Sequence, residues 1–555
     1  MNARRLSAPR IWVSRATGVG IAVSAFVLAY AAVLMWNPNY GFSNYEALRE
    51  VIFASEDFFP SGVFPGMGRF YPMFVKEFAL IQLFSRDIVW IYLFVSIQSV
   101  VFAWLMWRLL RATAANRWLV AVTLCALYLL PAFTNSWGAV ATCERSVAFY
   151  LACLLLLYRS HTQHPRLLTL VLALAAANAA IYYKEPVFGA VVVFVLARLW
   201  IVRGKPAPSQ RALDIGLLVS AAVFVAAYLV FAYLPRGPHL YGESASAFKV
   251  SMFRNLLNFA LDCPVIVFLA LPLAAVRLRA VLSRSAQAHD FYDPMLLSGT
   301  AYAFAFLVLN LYAPNYWLPV YVLTLPPLLH FLAGHGAKLR PAWKLALGIT
   351  AFLLITNAIP LGMHILSTMK YPGSNQVAAM DALANDIRQH AANHARPAIF
   401  LDGVAPELTA HEATQTYDRD AYFNVAEALK RRGIAPAAFD LKSELPPKNP
   451  TIKPRLGDAT ARYTAFTQNE PSTIQAGDYL LITPNSSKSV SFNDVETLLH
   501  DYDLVYRTPP GQWVMPNLSL RTAIKALMLW SGHDAALMDR NLLRWSDYYL
   551  LRKRE

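Results

Sequence analysis

Apolar residues run together in long stretches over the first two thirds of the chain, with polar residues gathered in short segments between them. Eleven such runs are centred on residues 17–36, 88–107, 118–135, 146–158, 167–183, 187–202, 212–234, 264–282, 295–312, 317–333 and 343–363. A helix needs about 20 apolar residues to cross a bilayer. The pattern therefore predicts a polytopic α-helical membrane protein of about eleven transmembrane helices. The fourth and sixth runs are short, so their spans take in flanking aromatics. The first run is too long for a removable signal peptide, and no small-residue cleavage site follows Trp36.

Beyond residue 363 the pattern changes. Strand-like runs stand before breakers, Ala398–Leu401 ahead of Asp402-Gly403 and Tyr479–Ile482 ahead of Thr483-Pro484. Helical spacing recurs at Asn375–Asn393, Ala421–Arg432 and Phe492–Tyr502. The alternation predicts a soluble α/β domain over 364–555, after a transmembrane domain over 1–363. Leu520–Leu551 is apolar and aromatic at helical spacing, which reads as a packed or membrane-surface helix.

Composition agrees with a membrane protein. Of 555 residues, 57% are hydrophobic and 15% charged, and the mean hydropathy is +0.38. A soluble domain carries about 25% charged residues. The net charge of +15 would ordinarily suggest nucleic acid. Here the basic residues fall between apolar runs, so topology accounts for them and no nucleic-acid partner is expected. Arg4, Arg5, Arg10, Arg15, Arg108, Arg111, Arg117, Arg159, Arg166, Arg198, Arg203, Lys205, Arg211, Arg277, Arg279, Arg284, Lys338, Arg340 and Lys344 all share one side if eleven spans are right. By the positive-inside rule that side is cytoplasmic. The N-terminus is then inside, and 364–555 lie outside a bacterial inner membrane as a periplasmic domain. Cys143 and Cys263 fall on the outer side, where a disulfide between them is open; Cys125 and Cys153 fall inside spans.

Ionisable residues at a membrane boundary are costly, so their clustering is informative. The first external loop, about 37–87, holds Glu46, Glu56, Asp57 and Arg69, within Ser55-Glu56-Asp57-Phe58-Phe59-Pro60 and Gly68-Arg69-Phe70-Tyr71-Pro72. The next outer loops read Thr142-Cys143-Glu144-Arg145 and Tyr182-Tyr183-Lys184-Glu185-Pro186, and a fourth carries Arg254. Each has a plainer account. Glu56 and Asp57 read as solvated loop charges, Glu144 and Arg145 as a local pair, and Lys184 as an interface anchor beside tyrosines. Together they make a ring suited to a polar head and a phosphate while an apolar tail stays in lipid.

The arrangement resembles the GT-C glycosyltransferases, within them the protein O-mannosyltransferase and lipid A aminoarabinose transferase type. Glu56-Asp57 is similar to that family's acidic motif in a long first external loop, although Asp-Asp or Asp-Glu is the commoner form. Gly68-Arg69-Phe70-Tyr71-Pro72 resembles the stretch that follows it, and Glu144 falls where a second acidic residue stands. The resemblance implies a membrane glycosyltransferase that moves a sugar from a polyprenyl-phosphate donor to an envelope glycan, lipid or protein on the outer face. Asp57 is then the expected general base, with Glu56, Glu46 and Glu144 as further catalytic candidates. Glu46 competes with Asp57, because many members carry the acidic pair soon after the first span. Arg69, Lys184, Arg145 and Arg254 are the expected clamps on the donor phosphate. No cofactor is required; Glu56, Asp57 and Glu144 are the only candidates to hold Mg or Mn. An O-antigen polymerase or ligase is also polytopic, but places its large external loop between late spans. A lipid or solute transporter would show inverted repeats or charges near the midplane.

Overall fold

The computed structural model describes residues 10–38, 62–64, 68–85, 87–113, 115–140, 142–203, 207–235, 248–283, 285, 287–335, 339–390, 396–402, 425–426, 428–442, 473–482, 497–509, 515–531 and 548–555. Each of the eleven apolar runs falls on a helix. In order these are α1 (Arg10–Met35), the short α2 (Lys76–Gln82), α3 (Ile88–Arg111), α4 (Arg117–Leu129), α5 (Pro131–Gly138), α6 (Cys143–Gln163), α7 (Leu167–Tyr183) and α8 (Val187–Ile201). There follow α9 (Pro208–Tyr228), α10 (Phe248–Asp262), α11 (Leu271–Leu282), α12 (Tyr292–Val308), α13 (Leu318–His335), α14 (Pro341–Leu353) and α15 (Ile359–His390). Among the described residues, five helices are long and apolar enough to cross a membrane, or seven if each of two bent pairs is one span.

The bends have local causes. Pro131 forces Leu130 into extended backbone, ψ 150°, and α4 and α5 meet at 56°. The Leu129 carbonyl faces α15 there, at Gly362, where any Cβ would overlap it. Pro264 follows α10, and the chain turns by 91° before Ile266–Leu282. Elsewhere side chains cap the starts: Asp87 accepts from Val89 N and Asn116 from Trp118 N, both at 3.0 Å. Helices α6 and α7 pack closely, with Ala173, Ala176, Ala177 and Ala180 buried so that the backbones approach. One apolar core runs through the bundle. Its outside is apolar too: Ile21, Trp90, Trp104, Trp118, Val122, Leu167 and Val223 are all more than half exposed. A surface of that kind suits lipid and would be a liability in water.

The later residues form a five-stranded sheet in the order β4-β3-β5-β7-β6, from β3 (Ala398–Asp402), β4 (Asp440–Lys442), β5 (Tyr479–Ile482), β6 (Tyr502–Arg507) and β7 (Tyr549–Lys553). The first three strands are parallel, and β7 is antiparallel to both its neighbours. Ala379, Met380, Leu383 and Ile387 of α15 share a core with Ile399, Leu481 and Leu550 of the sheet. Helix α14, a π-helical stretch at Leu354–Ala358 and α15 run on as one continuous helix over Pro341–His390, which carries both the last apolar run and a face of the sheet's core.

Two expected helices end differently. Within Phe492–Tyr502, the described residues make a 3-10 turn, Thr497–His500, and Tyr502 opens β6. Leu520–Leu551 begins as a helix, α16 (Leu520–Trp530), but ends in β7. Tyr549-Leu550-Leu551 fits either period, and pairing with β5 and β6 decides it.

Candidate active site

Three of the outer-loop candidates, Glu144, Lys184 and Arg69, converge where α6 begins and α7 ends. Helix α7 ends at Tyr183, where Lys184 takes extended backbone, φ −158° and ψ 126°. Glu144 lies in the first turn of α6, where the helix dipole favours a carboxylate. The Lys184 ammonium stands 3.0 Å from Glu144 Oε1, with the two side chains 9% and 2% exposed. The Tyr316 ring covers Lys184 at 4.9 Å. The other Glu144 oxygen accepts from Asn315 Nδ2 at 2.7 Å, and Asn315 Oδ1 accepts from Asn135 Nδ2 at 2.9 Å.

Arg69 belongs to a second pair beside the first. It lies in β2 (Arg69–Phe70), which pairs antiparallel with β1 (Val63–Phe64). Arg69 Nε donates to Glu185 Oε1 at 2.9 Å and Nη2 reaches Oε2 at 3.5 Å; Phe70 N donates to the same Oε1 at 3.0 Å. Burial works against the Glu185 carboxylate, but Arg69 and Lys184 outweigh it and hold its pKa below the ordinary range. Successive residues Lys184 and Glu185 thus link two acid–base pairs into one group.

Arg145 does not join them. It is 1% exposed, donates through Nη2 to Glu77 Oε1 at 2.7 Å and through Nε to the Val140 carbonyl at 3.0 Å, and also bonds Gln98. Glu77 further accepts from Ser146 Oγ at 3.0 Å and from the Tyr183 hydroxyl. Through these contacts Arg145 braces α6 against α2 and α3. Nor do Glu144 and Arg145 pair with each other. Two β-branched residues flank this region in left-handed backbone, Val75 at φ 53° and Val140 at φ 63°. Such strain persists only where the surroundings over-determine it.

The remaining candidates separate. Glu46, Glu56 and Asp57 lie outside the described residues. Arg254 is half-buried on α10, and no described hydrogen bond or ion pair joins it to the Lys184 group. On the same helix Asp262 bonds Tyr312 and takes Asn357 Nδ2 at 3.0 Å and Arg521 Nη1 at 3.2 Å, tying α16 to the bundle. Cys143 and Cys263 are both buried free thiols, so the disulfide left open by the sequence is not formed. No three His, Cys, Asp or Glu side chains gather as a metal site among the described residues. Glu77, Asn135 and Asn315 were not singled out from the sequence. Their one signal is polarity beside or inside apolar runs.

The geometry defines a polytopic helical protein with ion pairs buried at one end of its bundle. The chain is similar to two crystal structures of ArnT from Cupriavidus metallidurans, a lipid A aminoarabinose transferase. With ArnT bound to undecaprenyl phosphate it shares 15% identity over 90% of this chain and 97% of that one, at a TM-score of 0.39. With apo ArnT the values are 16%, 89%, 96% and 0.42. No family model and no curated protein matches the chain.

Proposed function

We propose that the protein is a GT-C-type glycosyltransferase of the bacterial inner membrane, moving a sugar from a polyprenyl-phosphate donor to an envelope glycan, lipid or protein on the periplasmic side. The observation that carries this reading is the linked group Arg69–Glu185 and Lys184–Glu144, two cations held by carboxylates at one end of an apolar bundle. A lipid phosphate needs cationic donors beside an apolar surface, and the ion pairs and the apolar bundle supply that combination.

In the proposed reaction an acceptor hydroxyl or amine attacks the anomeric carbon. The bond between that carbon and the phosphate oxygen breaks, and polyprenyl phosphate leaves with the electron pair. The acceptor's proton passes to a carboxylate, for which Asp57 is the first choice and Glu56 and Glu46 the others. Lys184 and Arg69 stabilise the leaving phosphate. Glu144 and Glu185 hold both cations in place beforehand, so little reorganisation accompanies the charge as it develops. A divalent ion on Glu56, Asp57 and Glu144 would share that task.

The test is transfer by purified protein in vesicles supplied with a polyprenyl-phosphate-linked radiolabelled sugar and an envelope extract. Labelled product, lost in Lys184→Gln, is the expected result. Protein that neither binds the donor nor releases its sugar refutes the reading. Orientation has its own test. A cysteine placed on the described sheet should react with an impermeant reagent in intact spheroplasts, and protection would overturn the periplasmic assignment.

A further inference from the structure

At the other end of the bundle from Lys184 lies a cavity of about 340 Å3 that the proposed transfer does not use. Arg159 of α6, His289, Tyr292 of α12 and His330 of α13 face it, with Arg198 in its wall and Asp290 at its exposed mouth. Arg159 follows Glu144 by fifteen residues on one helix, so the cavity and the Lys184 pair are about 22 Å apart along its axis.

The cations around this cavity are unequal. Arg198 is engaged: it pairs with Asp214, which also takes the Tyr158 hydroxyl at 2.6 Å, and its Nη2 donates to Gln210 at 2.7 Å. Arg277, nearby, is held by both oxygens of Asp293, at 2.7 and 2.6 Å. Arg159 has no carboxylate partner among the described residues. Its Nη1 donates to the Tyr292 hydroxyl at 3.1 Å and reaches the Ala112 carbonyl at 3.5 Å. Nε and Nη2 have no described partner, and they are the two donors that a planar oxyanion fork would take.

His289 supplies a third donor by a tautomer argument. Its Nδ1 accepts from Phe291 N at 3.1 Å and Tyr292 N at 3.3 Å. The neutral ring must then carry its proton on Nε2, which has no described partner. Burial lowers the His289 pKa, against the pull of Asp290 and Asp293, which favours that neutral form near pH 7. His330 stacks on Tyr292 at 4.2 Å and closes one wall. The volume falls in the range of small-ligand sites.

We propose that this cavity binds a phosphate group, with Arg159 Nε and Nη2 gripping two of its oxygens and His289 Nε2–H a third contact. Asp290, 3.5 Å from His289 Nδ1, sits at the mouth and limits how much negative charge the site takes. The cavity is larger than phosphate alone needs, so the group belongs to a larger molecule. Two sources share the chemistry, a phosphorylated solute and the headgroup of an anionic phospholipid.

The experiment uses full-length protein in maltoside micelles and buffer free of phosphate. Inorganic phosphate and short-chain phosphatidylglycerol are titrated separately by calorimetry into wild type, Arg159→Gln and His289→Asn. Asn keeps an acceptor where Nδ1 stood and removes the Nε2–H donor. Saturable binding of either probe that weakens about tenfold or more in Arg159→Gln, and measurably in His289→Asn, supports the proposal. Phosphate alone responding identifies a solute site, and phosphatidylglycerol alone a lipid site. Affinity for both probes unchanged by Arg159→Gln, or no binding at all, overturns it. Should Arg159→Gln not fold, His289→Asn decides, since it leaves the guanidinium and its packing intact. Sugar transfer is not read here, so failure of this site leaves the reading of the other end standing.

Discussion

Glu144 and Arg145 are adjacent in sequence and serve different partners: Glu144 meets Lys184 at 3.0 Å, while Arg145 meets Glu77 at 2.7 Å. Successive side chains on a helix point about 100° apart, so the first turn of α6 addresses two neighbours at once. It braces α2 on one side and presents a carboxylate to the end of α7 on the other.

Breaking the Lys184–Glu144 pair from one side should cost more than removing it whole. Lys184→Met leaves a buried carboxylate unpaired and is expected to destabilise by about 3–5 kcal/mol. Adding Glu144→Gln should recover part of that loss. Thermal unfolding of the two single variants and the double variant measures it, and strict additivity would mean the pair is not coupled.

Arg69 and Arg145 should fail in different ways. Arg69→Lys loses the fork that grips Glu185 and is expected to raise the donor KM while the fold persists. Arg145→Lys loses contacts in three directions, so it should lower the unfolding temperature and leave donor KM unchanged in the surviving folded fraction. Equal effects of both on donor KM would return Arg145 to the phosphate.

Asp57→Asn keeps shape and removes basicity, so transfer should fall roughly 10²-fold or more with donor binding retained. Glu56→Gln should cost less, and Glu46→Gln less again. Near wild-type turnover in Asp57→Asn, with transfer abolished in Glu46→Gln, would move the base to Glu46.

The depressed pKa of Glu185 has a definite sign in acid. A carboxylate whose folded pKa lies below its unfolded value, about 4.3 for Glu, stabilises above that value and loses the contribution as pH falls through the folded pKa. Wild type should therefore lose stability more steeply than Glu185→Gln below about pH 4. Parallel stability curves for the two proteins would contradict the pairing.

Gly362→Ala should lower the yield of folded protein sharply, because the new Cβ would overlap the Leu129 carbonyl at the bend between α4 and α5. The check is gel filtration in detergent, where a normal monodisperse peak would show that the bend can relax.

The helices were legible because length and apolarity are local properties, and so were Ala398–Leu401 and Tyr479–Ile482, which breakers bound. Strand β7 was not, since Tyr549-Leu550-Leu551 carries no period of its own and gains one only between β5 and β6. Lys184 and Glu144 were legible as charges at span ends. Their partnership was not, and neither was Glu77, whose contact with Arg145 spans 68 residues of sequence. Separation of that kind is set by which helices pack together, and no local pattern encodes it.

Helix α7 has 17 residues and α8 has 15, about 26 and 22 Å of rise. A hydrocarbon core is about 30 Å thick. On the proposed reading α7 crosses the bilayer with Leu167, Leu168 and Val171 exposed, and lipid on that flank meets a hydrophobic mismatch of several ångströms. A bilayer that thinned to match would draw its headgroup plane inward toward the end of α7, where Lys184 stands. On the proposed function, membrane thickness would then be a variable of transfer: shorter-chain lipids should bring a carrier phosphate within reach of Lys184, and thicker bilayers should hold it away.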